Sequence, residues 1–224
     1  MIKAIIFDFD GVILESVDVK TEAFCQLFED RPQNQVEAIK QYHLDNGGIS
    51  RVVKIQYAYD CILDEPLPQE KLDALCQKFH DIVVDRVVNS SFVNGAKELL
   101  EYCEGKYDMF VASGTPQGEM RDIVQQRTDI AHYFKGVYGS PDKKAQIIQN
   151  ILESKNLKAE EVIFIGDSHN DLEGAKAQAL HFIARYYDED QTWLKDPAIN
   201  AKFPDMMPVM TYLENLNTKE QVYK

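Results

Sequence analysis

The run Ala4-Ile5-Ile6-Phe7 is apolar throughout and ends in Asp8-Phe9-Asp10-Gly11. A strand with no polar face belongs in the middle of a parallel sheet covered on both sides. The carboxyl end of such a strand is where open α/β sheets place their ligands, and here it delivers two acids. Strand periodicity points Asp8 and Asp10 the same way and Phe9 the other. Two carboxylates held that close need a metal ion, a shared proton or a cationic partner.

Two further apolar runs end in the same manner. Val162 to Ile165 leads into Gly166-Asp167-Ser168-His169-Asn170-Asp171, with Asp171 in the first turn of a helix through Leu172, Ala175 and Ala179. The i, i+4 spacing puts Asp167 and Asp171 on one side of that turn. Met109 to Ala112 leads into Ser113-Gly114-Thr115-Pro116. A glycine turn and a proline opening a helix leave backbone N–H groups free for an anion. Helices are predicted near 95–104, 116–127, 141–154 and 170–179, with strands near 109–112, 136–139, 162–166 and 181–186. That alternation predicts an α/β fold with a doubly wound parallel sheet. Residues 17–91 show only helical stripes, such as Leu72, Leu75, Cys76, Phe79, Ile82, Val83 and Val87. The expected organisation is a core of 1–16 and 92–224 interrupted by a helical domain, 17–91. The tail after Tyr187 reads as irregular, with a helix near 208–216.

The 224-residue chain carries a formal charge of −13, which argues against nucleic acid as a partner. No apolar stretch approaches membrane-spanning length, so no membrane partner is expected. Cys25, Cys61, Cys76 and Cys103 have no CxxC spacing and read as reduced core thiols of a cytoplasmic protein. Nothing in the sequence speaks to oligomeric state.

In combination these segments resemble the four motifs of the haloacid dehalogenase superfamily, in particular its phosphoglycolate phosphatase and β-phosphoglucomutase-like members. Asp8-Phe9-Asp10-Gly11 matches the first motif, Ser113 the second, and Gly166, Asp167 and Asp171 the fourth. The third motif is a lysine at a helix start, here Lys143 or Lys144. Ser140-Pro141-Asp142 reads as the beginning of that helix, with Ser140 as N-cap. Lys144 lies over the face formed by Ile147, Ile148, Ile151 and Leu152, so it is taken as the functional one.

The resemblance implies a Mg²⁺-dependent hydrolase of a small phosphate ester, either phosphoglycolate-like or a sugar phosphate. Asp8 would be the nucleophile. Asp10 would be the acid and base, which requires a pKa above that of Asp8. Mg²⁺ would be held by Asp8, the backbone carbonyl of Asp10, and Asp167, with Asp171 orienting these ligands and Lys144. Ser113, the Gly114 backbone and Lys144 would hold the phosphoryl oxygens. The helical insertion resembles the caps of this superfamily. Within it Gly47-Gly48-Ile49-Ser50-Arg51 is the candidate substrate-reading segment, with Arg51 first and Lys54 a turn later. His169, inside the fourth motif, is the one histidine with a candidate role. Asp10 argues against dehalogenation. Two alternatives stay open: phosphoryl transfer of the β-phosphoglucomutase kind, although those mutases have a histidine where Lys20 stands, and a non-catalytic binding module of the same fold.

Overall fold

The computed structural model describes residues 1–222. Six strands, β1 (Ala4–Phe7), β2 (Asp108–Pro116), β3 (Phe134–Ser140), β4 (Val162–Gly166), β5 (His181–Arg185) and β6 (Ile199–Phe203), form one sheet. Its order is β3-β2-β1-β4-β5-β6, and every neighbouring pair is parallel. The chain builds outward from β1 to β2 and β3, then returns to the far side of β1 for β4. The strand order therefore reverses between β1 and β4, and a crevice opens at their carboxyl ends. Register aligns Phe7 with Ile165, which sets Asp8 one residue beyond β1 and Asp167 one residue beyond β4.

Alternation along the strands supplies two apolar layers. Ile5, Phe7, Val111 and Ile165 face one layer; Ile6, Phe110, Phe164 and Phe182 face the other. These side chains are essentially inaccessible. Each contributes about 1.5–3 kcal/mol on burial, so both faces must be covered by helices. Helices α7 (Lys144–Lys155) and α8 (His169–Ala177) cover the second layer through Ile147, Ile148, Ile151 and Leu172. On the first lie α5 (Ala96–Cys103), α6 (Gln117–Gln126) and α9 (Met207–Val222).

Between β1 and α5 the chain forms α1 (Val17–Leu27), α2 (Gln33–Asp45), α3 (Arg51–Tyr57) and α4 (Gln69–Val88), with a π-helical turn at Ala58–Leu63. Helix α1 packs on α2 and α4, and α4 also packs on α6. Phe24, Ile55, Phe79 and Val83 are buried at their centre. The chain leaves and re-enters beside itself: the Glu15 N–H donates to the Ser91 carbonyl (2.9 Å) and that of Val93 to the Ile13 carbonyl (3.0 Å). Among the described residues no helix is long and apolar enough to cross a membrane.

Several expectations need correction. The segment read as irregular contains β6, a short edge strand in which Ile199, Ala201 and Phe203 are half-buried and alternate with exposed Asn200 and Lys202. Its composition is poor for a strand, and pairing with β5 supplies what propensity lacks. Ser140 is no N-cap: β3 runs through it, and α7 begins only at Lys144 behind the extended Lys143. Cys61 is exposed, so it is no core thiol; all four cysteines are free.

Candidate active site

Asp8, leaving the end of β1, is buried, and both of its oxygens have donors. Oδ1 accepts the Phe9 N–H at 2.7 Å, and Oδ2 accepts Lys144 Nζ at 2.7 Å. Lys144 opens α7, and its side chain crosses beneath the crevice to Asp8 and to Asp171, with which it also forms an ion pair. Burial disfavours the ammonium, but the two carboxylates outweigh that and hold its pKa above the ordinary lysine range. Lys143 is exposed.

Asp171 shows why capping and site chemistry share one residue. Ser168 caps α8, and Asp171 closes the capping box, its Oδ2 accepting the Ser168 N–H (3.1 Å) and hydroxyl (2.5 Å). Its Oδ1 meets Lys144. Asp8, Asp167 and Asp171 each bring an oxygen within 4.8 Å of the others, a cluster of the size that holds a cation. With both its oxygens occupied, Asp171 supports that cluster, while Asp167 has no hydrogen-bonding or ion-pairing side chain among the described residues. Burial, reinforced by Asp8 and Asp171, pushes Asp167 well above the usual carboxylate range. Burial likewise pushes Asp8 up to about 7 against the pull of Lys144. Acids this poorly compensated fit a small, hard divalent ion that prefers oxygen ligands.

Asp10 turns toward the helical insertion. Ser16 Oγ donates to its Oδ1 at 2.6 Å, and Lys20 of α1 forms an ion pair with its Oδ2. Lys20 Nζ also donates to Thr115 Oγ1 at 2.7 Å. Burial alone would raise Asp10, but the charge and hydrogen bond of Lys20, with that of Ser16, leave it below its ordinary value. The expected order of the two pKa values is thus reversed in the metal-free protein, because the cation sits on Asp10 while Asp8 shares its lysine.

Ser113 is buried within β2, not in a turn after it as expected, and its Oγ accepts the Thr115 N–H at 3.1 Å; Gly114 and Thr115 line the cavity. The loop of the helical insertion that holds Gly47 and Gly48 rests on this segment. A Cβ on Gly114 would collide with the Gly48 carbonyl oxygen, and one on Gly48, whose φ is +75°, would lie 2.8 Å from Ser168 Oγ. Both glycines are required by that close approach. Asn170 Nδ2 donates to the Gly47 carbonyl at 2.7 Å, tying the same loop to α8. The cavity between them has a volume of about 760 Å³. His169 is exposed at its rim, beside Tyr187 and Trp193 from the segment after β5.

Arg51 was expected to read the substrate, yet its charge is spent within the protein. It is buried against Glu119 of α6, with its guanidinium 4.6 Å from the centre of the Phe79 ring. Glu119 also takes His80 Nδ1 of α4 at 2.7 Å, so α3 and α4 are both tied to α6 through one carboxylate. The sequence reading missed Thr115 and Glu119 altogether and noted Lys20 only as a departure from mutases. The Thr115 hydroxyl was legible as a neighbour of Ser113; the pairings of Lys20 and Glu119 had no local signal.

Residues 5–185 match the family described as Haloacid dehalogenase-like hydrolase. A phosphoglycolate phosphatase of Photobacterium profundum is 30% identical over 217 residues, covering 92% of this chain and 91% of that protein. Among solved structures, a predicted phosphoglycolate phosphatase from Haemophilus somnus superposes with a TM-score of 0.75 at 18% identity, over 95% of this chain and 98% of that one. A β-phosphoglucomutase from Clostridium difficile superposes with a TM-score of 0.76 at 15% identity, over 100% of both chains. The chain belongs to the haloacid dehalogenase-like hydrolases.

Proposed function

We propose that the protein is a Mg²⁺-dependent phosphomonoesterase that cleaves a small phosphorylated metabolite, phosphoglycolate-like or a sugar phosphate, through an aspartyl-phosphate on Asp8. The observation that carries this reading is the buried Asp8, bonded to Lys144 and beside an uncompensated Asp167, at the lining of an open cavity. Asp8 forms a bond to phosphorus as the bond to the leaving oxygen breaks, and Asp10 gives that oxygen its proton. Asp10 then takes a proton from water, which attacks the aspartyl-phosphate, releases inorganic phosphate and restores Asp8. Lys144, Ser113 and the Gly114 backbone hold the phosphoryl oxygens. Asp8, the Asp10 carbonyl and Asp167 are the proposed holders of Mg²⁺, whose charge would offset that of the phosphoryl group. Residues 17–91 act as the cap, excluding water from the site. The adjacent exit and re-entry of the chain at 13–15 and 91–93 support that boundary.

The test is phosphate release from a panel of phosphorylated metabolites, with and without Mg²⁺, beside the Asp8→Asn variant. Metal-dependent release absent from the variant is expected. Release from no ester, with interconversion of a sugar 1-phosphate, would favour the mutase reading.

The metal assignment has a readout independent of turnover. Asp8 and Asp167 have native pKa values above their unfolded ones, so the metal-free protein loses stability as pH rises from about 4 through about 7. Added Mg²⁺ is therefore expected to raise Tm by a few degrees at pH 8 and much less at pH 5, where protons compete. EDTA should stop turnover reversibly. A Tm indifferent to Mg²⁺ at both pH values would remove the ion from this site.

Lys20 affords a second test. Removing its charge in Lys20→Met lets burial raise Asp10, so the limb of the kcat/KM profile that Asp10 sets should move to higher pH. An unmoved limb would show that Asp10 is not the acid.

A further inference from the structure

We infer that Tyr187 is a positioning residue of the metal centre, its hydroxyl accepting a hydrogen bond from a water on the ion that Asp167 holds. The inference rests on the metal assignment proposed above and adds to it a residue from outside the motif segments.

The segment after β5 carries this hydroxyl to the acids. The Tyr186 N–H donates to the Phe203 carbonyl at 3.0 Å, so pairing with β6 continues to the residue before Tyr187. Tyr187 lines the cavity and is half exposed, but its hydroxyl end turns inward over Gly11. Gly11 has a φ of +76°, and a Cβ on it would lie 2.5 Å from Tyr187 Oη and 2.1 Å from Asp167 Oδ2. The two oxygens thus face one space, which a side chain at position 11 would fill. Among the described residues neither oxygen has a hydrogen-bond partner. An acceptor and an uncompensated carboxylate flank the same gap without touching each other.

The rest of the side chain is fixed by its neighbours. The Arg185 guanidinium lies 3.5 Å from the centre of the Tyr187 ring, and this stacked cation holds the ring in place. Arg185 is itself buried and tethered twice. Its Nη2 donates to Glu15 Oε1 at 2.8 Å, and its Nε donates to the Pro204 carbonyl at 3.0 Å. The hydroxyl is therefore presented by packing and needs no bond of its own to stay beside Asp167. A small, hard divalent ion keeps several of its waters, and its charge makes each of them a strong donor. Carboxylates that hold the ion leave those hydrogens to partners further out, and such partners orient the shell and strengthen binding. Tyr187 Oη is an acceptor already in place for that task.

The test measures Mg²⁺ binding directly, by calorimetric titration at pH 8, on wild type, Tyr187→Phe and Arg185→Lys. Asp167→Asn is the control for loss of a ligand, and thermal melts in EDTA check that each variant folds. Tyr187→Phe removes one oxygen from a half-exposed side chain, so its melting temperature in EDTA should match that of wild type. Loss of an outer partner of this kind corresponds to roughly a tenfold effect on metal affinity. Tyr187→Phe is expected to raise the Mg²⁺ Kd by about that factor. At saturating Mg²⁺ its KM for the preferred ester of the panel should equal the wild-type value. Arg185→Lys keeps a charge for Glu15 but loses the flat face against the ring, so it should weaken Mg²⁺ in the same direction. Asp167→Asn should abolish binding. A Tyr187→Phe protein with the wild-type Kd for Mg²⁺ overturns the assignment, even if Arg185→Lys fails to fold. So does an unchanged Kd with a raised KM, which would make Tyr187 a substrate contact. Wild type that binds no Mg²⁺ overturns the metal assignment itself, and the role of Tyr187 with it.

Discussion

Asp8→Asn is expected to lower kcat/KM by on the order of 10⁴-fold or more, the loss seen when a covalent nucleophile is removed. The substitution keeps the shape of the side chain. Its amide oxygen can still accept the Phe9 N–H or Lys144, so the end of β1 should stay in place. What disappears is the charged oxygen that attacks phosphorus. Stability should move the other way. Burial raises Asp8 to about 7, so at pH 8 the wild-type protein without metal carries an ionised carboxylate at a cost that an amide avoids. In EDTA at pH 8 the variant should therefore melt at or above the wild-type temperature. The measurement pairs steady-state kinetics with thermal melts. A variant that turns over within about tenfold of wild type would rule out the covalent route, and one that melts far lower would reduce Asp8 to a structural role.

Lys144→Met is expected to be damaging in both respects. Lys144 is the cation shared by Asp8 and Asp171 beneath the crevice, and all three are buried. Removing one member of a buried ionic cluster strands the others, at a cost of about 3–5 kcal/mol. A lysine whose pKa is raised in the native state contributes throughout the range below its unfolded pKa, so the loss applies at neutral pH. It should shrink on acidification toward pH 4 as the abandoned carboxylates take up protons. Turnover should fall by roughly 10²–10³-fold through loss of charge stabilisation in phosphoryl transfer. Lys143→Met is the internal control, because that neighbour is exposed. Near-wild-type stability and rates are expected there. Equal effects of the two substitutions would show that the adjacent lysines had been assigned on too little.

Reading the chain alone goes furthest where the signal is local. A strand apolar on both faces announces a central position, and an acid immediately after it can only lie at the strand's carboxyl end. Asp8 and Asp167 are legible for that reason, and the face of a short helix was enough to choose Lys144 over Lys143; the turn expected at Ser113-Gly114 is instead part of β2, which runs on to Pro116. The parallel sheet follows from alternating strands and helices. An edge strand such as β6 escapes, since five weakly strand-forming residues take their conformation from a neighbour.

Charge pairing is different in kind. Arg51 meets Glu119 across 68 residues and Lys20 meets Thr115 across 95, so no window of sequence contains both partners. The contact with Glu119 removes Arg51 from the free charge of the cavity, whereas the ion pair that holds Asp10 below its ordinary value joins it to Lys20, only ten residues away. Composition and periodicity determine which side chains are buried and which strand ends carry acids. Only the packing of the helical insertion against the sheet decides which charges cancel, because electrostatic partners are chosen by distance in space and not by position along the chain.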